Sequence, residues 1–376
     1  MPHVLVAPDK FKGTLTAADV AASVAAGMIS VRPGLDVVRM PVADGGDGTL
    51  AAAVAAGFTL VPMVASGPTG EPVDTAYARR GEEAVVELAE VSGLGQLPGG
   101  KLEPLRASSR GTGDLIRGAL DAGCRRVVLA IGGSACTDGG SGLLSALGAR
   151  VLDASGRPLP DGGGTLVNAA RLDLSGLHPA VGETRFVVAS DVDNPLLGQR
   201  GAAAVYGPQK GANDQDLVVL ENGLSRWAQV VTEATGEDKS ADAGAGAAGG
   251  VGYAALAVLG AELRPGIELV LDLVGFASAL EGAQLVVTGE GSLDEQTLHG
   301  KAPAGVAAAA TAQGVPVVAV AGRAELTSEQ LRAAGFTAAY PLTDESDDLD
   351  ECMTRPGPLL ERIGARIARE HLQQAG

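Results

Sequence analysis

The chain has 376 residues, of which 46% are apolar and 19% charged, and it carries 55 glycines and a formal net charge of −17. This composition is typical of a globular α/β protein and excludes a disordered or fibrous chain. The excess of acidic residues disfavours nucleic acids and anionic membranes as partners, because binding to their phosphates needs a basic surface. At roughly 150 residues per domain, the length predicts two domains.

We expect neither an export signal nor a membrane span. The N-terminal segment MPHVLVAPDKFKG lacks a basic region followed by a long apolar stretch, and no later segment is apolar enough to cross a bilayer. Cys124, Cys136 and Cys352 are odd in number and widely spaced, without zinc-ligand spacing to any histidine. We therefore expect a cytoplasmic protein with reduced thiols, in which Cys136 contributes to packing and not to nucleophilic catalysis.

Short apolar runs alternate with helical segments along the chain. One helix, from Asp214 to Thr232, is expected to place Trp227 on its buried face. The predicted strands are 3–7, 37–42, 59–64, 73–78, 84–88, 127–131, 186–190, 285–288, 315–321 and 338–341. Strands that alternate with helices predict a parallel sheet, so the fold class is α/β.

Two breaks divide this pattern. The first is the Gly- and Pro-rich segment SGPTGEPV at 66–73, and the second falls near Gly282. We expect a Rossmann-like or flavodoxin-like parallel-sheet domain formed by residues 1–68 and 282–376. A second α/β domain, residues 69–281, is inserted into it, and the active site is expected in the cleft between the two.

Glycine-rich segments follow several of the predicted strands. Between Val127 and Leu143 the sequence predicts a strand, a glycine-rich turn and a helix, a geometry that can direct backbone N–H groups at an anion. We expect Gly133 and Ser134 to bind a phosphate or a carboxylate through the amides of residues 133–135. Asp138, the only acid in this segment, is expected to act as a metal or capping ligand. A tight turn without a ligand is the alternative, since such a turn alone is a weak signal.

Charged residues also follow the strands. Ligands of open parallel sheets bind beyond the carboxyl ends of the strands, and phosphoryl transfer needs cations, a carboxylate-held Mg²⁺ and a group that orients the attacking hydroxyl. The alternative is that these residues form turns or carry surface charge. The candidate carboxylates are Asp44, Asp191, Asp193, Glu290 and Asp294; the candidate cations are Lys12, Arg110, Lys210 and Lys301; Gly45 and Gly46 form a second candidate phosphate-binding turn.

Two shorter motifs are disfavoured. Gly95 to Lys101 matches the start of a phosphate-binding P-loop, but Leu102 replaces the Ser or Thr that would hold the metal. Gly244 to Gly249 matches the dinucleotide fingerprint, but a polar segment precedes it in place of a strand. Two interpretations of that segment stay open: the N-terminus of a helix that binds an anion, and simple packing of a helix.

Six longer motifs occur in one order along the chain, and together they resemble a known family. They are APDKFKGTLTA, PVADGGDGT, GGSACTDGGSG, DVDNPLLGQRGAAAVYGPQKGA, GAGAAGGVG and VVTGEGSLDEQTLHGKAPAGVA, from Ala7 to Ala307. In sequence and spacing they are similar to those of the bacterial glycerate kinases that act in glyoxylate and sugar-acid breakdown. The resemblance covers nearly the whole chain.

The resemblance implies a two-domain α/β kinase that uses ATP and Mg²⁺. It transfers the γ-phosphoryl group to a hydroxyl of D-glycerate, mostly the 2-hydroxyl, to give 2-phosphoglycerate and ADP. The match of the DVDNP motif makes Asp191 the preferred catalytic base and Asp193 the alternative, with Lys12 as a catalytic cation. Asp191, Asp193 and Asp294 are the candidate metal ligands. The remaining candidates would bind substrate or phosphate: Asp44, Gly45, Gly46, Arg110, Gly133, Ser134, Asp138, Lys210, Glu290 and Lys301.

The sequence departs from the family pattern at a few positions. Lys10 stands where Ser is expected, Cys136 and Thr137 replace Thr-Asn, and Asp47 replaces Glu. Two other functions stay open at this point: a dinucleotide-dependent oxidoreductase of small hydroxy acids, and a non-enzymatic carboxylate-binding protein. We expect small-molecule substrates, no nucleic-acid or membrane partner, and a monomer or homodimer.

Overall fold

The computed structural model describes residues 2–298 and 300–372. The strands are β1 His3–Pro8, β2 Val37–Arg39, β3 Thr59–Ser66, β4 Pro72–Arg80, β5 Glu83–Glu87, β6 Arg126–Ala130, β7 Arg150–Leu152, β8 Arg171–Asp173, β9 Arg185–Ala189, β10 Glu262–Arg264, β11 Ala283–Leu293, β12 Val317–Ala324 and β13 Ala338–Pro341. The α-helices are α1 Ala17–Val31, α2 Thr49–Ala55, α3 Ala89–Ser92, α4 Arg110–Asp121, α5 Ser141–Ala146, α6 Ala202–Tyr206, α7 Asp214–Thr235, α8 Ala247–Ala257, α9 Gly266–Val274, α10 Phe276–Ala279, α11 Ala302–Ala312, α12 Ser328–Ala333, α13 Leu349–Thr354 and α14 Pro356–His371.

The described chain divides into two units. Unit 1 comprises the described residues of 1–44, 51–56 and 266–376, so that both ends of the chain contribute to it. Unit 2 comprises residues 45–50 and 57–265.

Unit 1 contains a five-stranded sheet in which every strand pair is parallel. Its order is β13-β12-β11-β1-β2. Counted within the unit, this is the order 2-1-3-4-5 of the flavodoxin-like fold, whose ligand site lies where the strand order reverses. That point is the gap between β1 and β11. The flavodoxin-like α/β prediction is confirmed for this unit.

Strand β1 is buried on both faces, which explains its unbroken apolar sequence. Successive side chains of a strand point to opposite sides, so Val4 and Val6 enter one hydrophobic core while Leu5 and Ala7 enter the other. Helices α1 and α14 cover the first of these faces. The two cores therefore depend on a strand from the start of the chain and on segments from its end.

Unit 2 contains a six-stranded mixed sheet and a small two-stranded one. The order of the larger sheet is β10-β9-β6-β5-β4-β3, with parallel pairs from β10 to β5 and antiparallel pairs from β5 to β3. Strands β7 and β8 pair antiparallel. Helix α7 lies over this core with Trp227 fully buried, which confirms the expected face.

The boundaries between the units differ from those predicted. Strand β3 pairs with β4 in register from Thr59 to Ser66, so the SGPTG segment is the turn of a hairpin and not a domain break. Residues 57–68 consequently lie in unit 2, and residues 266–281 lie in unit 1, where Ile267 and Val270 join the core. Local turn chemistry looks the same in a hairpin and in a linker, so the sequence alone does not distinguish the two.

Strand β11 extends beyond its predicted end at Thr288. It continues to Leu293 because β12 pairs with it as far as Ala324. Glycine is required at 289, where an added Cβ would overlap the carbonyl oxygen of Val320. Glu290 therefore lies on a strand and not in the loop after it.

Within the described part of the chain, no helix has the length and apolar character needed to cross a membrane. The three cysteines are buried, and none of them forms a disulfide.

Helices α1 and α14 pack backbone against backbone, and this contact leads to a prediction. A Cβ added at Gly364 would overlap the carbonyl oxygen of Val24, and one at Gly27 would overlap that of Glu361. We expect Gly364→Ala to lower the free energy of unfolding by about 1–3 kcal/mol, because the helices must move apart. Urea denaturation followed by circular dichroism measures this change.

Gly357→Ala on the same helix is the matched control. Its added Cβ would meet only the hydroxyl of Ser23, at 3.6 Å. The control should stay within about 1 kcal/mol of the wild type. Equal effects of the two substitutions would contradict the role of the helix contact.

Candidate active site

Two of the predicted glycine turns meet in unit 2. An added Cβ on Gly132 would lie 2.7 Å from the Cα of Gly46, so the two backbones approach more closely than any side chain would allow. The structure thus brings the turn at Gly45 and Gly46 together with the turn at Gly132 and Gly133. We name this the glycine surface. It lies beyond the carboxyl end of β6, where the topology of parallel sheets places ligands.

Only the start of the loop between β6 and α5 is accessible. Gly133 is exposed and Gly132 is half-buried, whereas the loop is buried from Ser134 to Gly140. The amide of Ala135 donates to the carbonyl oxygen of Ser92 at 2.8 Å. Of the three amides expected to bind an anion, that of Ala135 is therefore engaged within the protein.

Asp138 holds the buried part of this loop in place. Its Oδ2 accepts hydrogen bonds from the amide and the hydroxyl of Ser109, both at 2.8 Å, and from the amide of Gly142 at 3.2 Å. Its Oδ1 accepts from the amide of Gly140 at 3.1 Å. Burial raises the pKa of Asp138, and these hydrogen bonds oppose the rise. Of the two roles predicted for Asp138, the structure favours the capping one, because the carboxylate is fully buried among protein donors.

Lys210 lies beneath the same loop. Its Nζ donates to Ser134 Oγ at 2.8 Å and to the carbonyl oxygen of Cys136 at 2.5 Å, and only 2% of the residue is exposed. Burial lowers the pKa of this ammonium group. Because an ammonium group only donates, Ser134 Oγ accepts from it and directs its own hydrogen elsewhere. Lys210 therefore acts on the glycine surface through Ser134.

Glu87 fixes the other side of the glycine surface. It follows Val86 at the end of β5, is 1% exposed, and accepts hydrogen bonds from the amides of Gly48 at 3.1 Å and Leu50 at 2.8 Å. Burial raises the pKa of Glu87 to about 7, although the two amides oppose this. The carboxylate thereby ties the start of α2 to the central sheet of unit 2.

The segment from Gly244 to Gly250 serves packing and has no strand before it. The amide of Gly139 donates to the carbonyl oxygen of Gly249 at 2.9 Å, and a Cβ added at Gly250 would lie 2.7 Å from the Cα of Gly139. Ala248 has a φ of +51°, the only positive φ of a non-glycine residue in the described ranges. These glycines admit a second backbone beside the 131–140 loop, which removes the geometric basis of a dinucleotide site.

Cys136 faces the same contact. Its Sγ lies 3.7 Å from the carbonyl oxygen of Ala248, and burial raises the pKa of the thiol. A buried thiol of this kind is a poor nucleophile. The predicted packing role of Cys136 agrees with this environment.

The loop that follows β9 presents two carboxylates at the surface. Asp191 and Asp193 are exposed, and Arg200 Nη2 lies 3.2 Å from both carboxylate oxygens of Asp193. The loop is anchored by Asn194, whose side chain donates to the carbonyl oxygen of Arg200 and accepts from Tyr206. The two acids are therefore presented by an anchored segment.

Arg110 starts α4 and pairs with Asp161. Its Nη2 donates to Asp161 Oδ1 at 3.0 Å, and its Nε donates to Oδ2. This candidate cation thus has a carboxylate partner that the sequence did not indicate. This pair lines a cavity.

Unit 1 gathers carboxylates where its strand order reverses. Asp9 follows β1 and Glu290 lies on the adjacent β11, on the two sides of the reversal point. Burial first, and then the charges of Asp44 and Glu290, raise the pKa of Asp9 to about 7, while the amide of Lys10 opposes the rise. Three acids therefore share one edge of this sheet.

Glu290 is satisfied by two neighbours. It accepts hydrogen bonds from Thr297 Oγ1 at 2.6 Å and from Lys301 Nζ at 3.1 Å, while burial raises its pKa. Asp294 lies 4.0 Å from the same ammonium group. Lys12, in the loop after β1, is exposed.

The predicted metal ligands come from both units. Asp191 and Asp193 belong to unit 2 and Asp294 to unit 1. Within residues 2–298 and 300–372, no group of three or more His, Cys, Asp or Glu side chains is arranged to hold a metal ion. The metal assignment of the three aspartates stays a prediction.

Sequence reasoning missed Asp9 and Glu87 as candidate site residues. Each is an acid at the carboxyl end of a parallel strand, which is the same sequence pattern that identified the other candidate carboxylates. The sequence places no glycine turn directly after Glu87, and Lys10 and Lys12 follow Asp9, so neither acid shows the pattern of an acid followed directly by a glycine turn.

The comparisons with known proteins agree with one another. The family model described as the glycerate kinase family matches residues 4–372. The chain belongs to the glycerate kinase family. The glycerate kinase of Bacillus subtilis (strain 168) is 43% identical over 368 residues, which cover 97% of this chain and 96% of that protein.

Two further relatives extend this result. The glycerate 2-kinase of Escherichia coli (strain K12) is 41% identical over 352 residues, which cover 93% of this chain and 92% of that protein. A crystal structure from Salmonella typhimurium LT2, described as glycerate kinase 2, superposes with a TM-score of 0.86 at 39% identity, covering 98% of this chain and 97% of that one. Membership in the glycerate kinase family confirms the resemblance and favours the kinase over the oxidoreductase and the binding protein.

The hydrogen bonds of Asp138 predict how its substitution affects stability. Asp138→Ala should lower the free energy of unfolding by more than about 3 kcal/mol, because it leaves several buried donors without an acceptor. Asp138→Asn should cost less, since its side-chain oxygen still accepts. The fluorescence of Trp227, the single tryptophan, reports the transition, because its Nε1 donates to the carbonyl oxygen of Gly139 at 2.9 Å.

If Asp138 instead served a metal, both substitutions would leave the urea midpoint unchanged while raising the Mg²⁺ concentration needed for turnover. That outcome would overturn the structural role of Asp138.

The pKa of Asp9 predicts an unusual pH dependence of stability. Because the pKa is raised from 3.8 to about 7 on folding, the folded chain keeps a proton that the unfolded chain releases. The stability that this bound proton contributes is fully present below the unfolded pKa of 3.8 and is lost as the pH rises through 7. Relative to Asp9→Asn, which cannot ionise but can still accept from Lys10, the wild type should lose roughly 2–3 kcal/mol between pH 5 and pH 8.

Urea denaturation of both proteins at pH 5, 6, 7 and 8 measures this difference. Parallel curves for the wild type and Asp9→Asn would contradict the raised pKa.

Proposed function

We propose that this protein transfers the γ-phosphoryl group of ATP to the 2-hydroxyl of D-glycerate, giving 2-phosphoglycerate and ADP. The observation that carries the proposal is the match to the glycerate kinase family over residues 4–372. The choice of the 2-hydroxyl is supported by the relative named glycerate 2-kinase, which aligns over 93% of this chain. Family membership implies ATP as the phosphoryl donor.

The glycine surface suits the binding of an anionic group. Gly133 exposes backbone with no side chain to block it, and the hydroxyl of Ser134 can donate because Lys210 occupies its acceptor side. The buried ammonium group adds positive charge directly behind the surface. We assign phosphate or substrate binding to Gly45, Gly46, Gly133, Ser134 and Lys210.

We assign the catalytic base to Asp191. The match of the DVDNP segment to the family pattern supports Asp191 over its neighbour Asp193. Asp191 accepts the proton of the attacking hydroxyl as the phosphoryl group transfers. The exposed position of Asp191 allows a substrate to reach it.

Mg²⁺ fits this assignment as a partner of the nucleotide. Mg²⁺ sites in phosphoryl-transfer enzymes use one or two carboxylates together with the substrate's phosphates, so no cage of three carboxylates is required. Asp191 and Asp193, with Asp294 as a third candidate, are the carboxylates we assign to it. Bound with ATP, the ion neutralises charge on the phosphate oxygens.

The remaining expectations are part of the same proposal. We propose a cytoplasmic enzyme, active as a monomer or homodimer, with ATP and D-glycerate as its partners. An active site in a cleft between the two units stays a prediction.

A direct assay tests the proposed function. Purified protein is incubated with ATP, Mg²⁺ and D-glycerate, ADP release is coupled to NADH oxidation, and the product is examined by phosphorus NMR. We expect ADP and 2-phosphoglycerate. No ADP above the level without D-glycerate would refute the kinase, and 3-phosphoglycerate would refute the regiochemistry alone.

The role of Asp191 gives a separate prediction. Asp191→Asn should lower kcat by about 10²–10⁴-fold with little change in KM for D-glycerate, because the base acts in the transition state. Asp193→Asn is the comparison, since Asp193 lies in the same exposed loop. A normal kcat for Asp191→Asn combined with a large loss for Asp193→Asn would transfer the role to Asp193.

A further inference from the structure

Unit 2 contains a cavity in which Arg110 is the one lining residue already among the candidate substrate- or phosphate-binding residues. It has a volume of about 230 Å³ and lies at the start of α4. The loop at 66–70, which is the turn of the β3–β4 hairpin, forms one wall, and Pro160 and Asp161 form another. Arg106, Ser108 and Arg110 complete the lining, so every lining residue belongs to unit 2.

The side chains that line this cavity carry a net positive charge. Arg106 and Arg110 line it, and Asp161 is the single acid among the lining residues. Asp161 binds Arg110 through both carboxylate oxygens, which holds that guanidinium group against the wall. Each carboxylate oxygen keeps a further lone pair, so Asp161 can also accept from a ligand hydroxyl. The cavity thus offers donors for an anion and an acceptor for a hydroxyl group.

The size of the cavity restricts its ligand. Pockets for drug-sized molecules measure roughly 300–1,000 Å³, so 230 Å³ suits a smaller molecule, although it far exceeds the space of one water. A nucleoside triphosphate is too large, and the carboxylate of Asp161 would repel its phosphates. A short hydroxy acid meets both conditions, since its carboxylate suits the guanidinium groups and its hydroxyls suit Asp161.

A hydrogen-bond chain joins the cavity to the loop that begins at the glycine surface. Ser108 Oγ accepts from the amide of Arg110 at 3.1 Å and donates to Asp138 Oδ2 at 3.4 Å. Asp138 in turn binds the amides of Gly140 and Gly142. The residues that line the cavity and those that shape the loop therefore share one buried polar network.

We propose that this cavity binds the hydroxy-acid substrate, with its carboxylate on Arg106 and Arg110 and a hydroxyl on Asp161. The inference rests on the proposed function and adds to it the place where the acceptor is recognised. It makes Arg106 and Arg110 the residues that distinguish a hydroxy acid from a neutral polyol. Glycerol, which has the hydroxyls but no carboxylate, is then a poor ligand.

Steady-state kinetics of Arg106→Met and Arg110→Met test the proposal. Loss of a charge-assisted hydrogen bond should raise KM for D-glycerate about tenfold or more, with KM for Mg·ATP within twofold of the wild type. Arg117→Met is the matched control: it removes an arginine that also lies on α4 and pairs with Asp114, but does not line the cavity. Circular dichroism and Tm establish that each variant is folded. Substitution of Arg106 is less prone to disturb the fold than substitution of Arg110, because it leaves the Arg110–Asp161 pair intact.

Calorimetric titration without nucleotide separates this proposal from the proposed function. The wild type and the Arg117→Met control should bind D-glycerate, Arg106→Met should bind it at least tenfold more weakly, and glycerol should bind to none of them. If the wild type binds D-glycerate in this Arg106-dependent way but releases no ADP, the cavity stands and the kinase assignment fails.

Three results would overturn the cavity assignment. Turnover with an unchanged KM for D-glycerate in both arginine variants would place the acceptor elsewhere while leaving the kinase intact. A rise in KM for Mg·ATP alone would make the cavity part of the nucleotide site. Failure of the wild type both to bind D-glycerate and to release ADP would remove both proposals.

Discussion

The candidate site of unit 2 depends on one buried carboxylate. Asp138 accepts hydrogen bonds from the start of α4 and from the start of α5, and so fixes two helices and the loop before them with a single side chain. The burial of a charged group costs free energy unless protein donors replace water, and here at least four do so. The accessible glycines at the start of the loop owe their position to this network.

A second buried charge, Lys210, acts from the opposite side without an acid bonded to it. The ammonium group is held by one hydroxyl and one carbonyl oxygen, so the loop residues Ser134 and Cys136 supply the solvation that water would otherwise give. Glycines at 46 and 132 then allow the neighbouring turn to approach. Three separate interactions thus determine the shape of the glycine surface. They are made by a buried carboxylate, a buried ammonium group and a close contact between two backbones.

Much of this could be predicted from the sequence, and the limits have physical reasons. The alternating apolar runs gave the parallel sheet of unit 1, because a buried parallel strand such as β1 is apolar at every position. The strand-end rule found Asp44 and Glu290. It could not show that Asp138 and Lys210 point inward, because the direction of a side chain depends on long-range packing. Nor could it predict the pairing of β3 with β4 or the ion pair of Arg110 with Asp161, because the local pattern of apolar residues does not show which segments pair.

The assembly of unit 1 from both ends of the chain has a consequence for biosynthesis. Strand β1 is made before its neighbour β11, which begins about 280 residues later, and before helix α14, which follows β11. Domains form as units while the chain emerges from the ribosome, so residues 57–265 can complete their own core before β1, which already has β2 on one side, meets β11 on the other. Until then the apolar residues of β1 and α1 that pack against α14 lack this cover, and a chaperone that shields apolar surface can bind them.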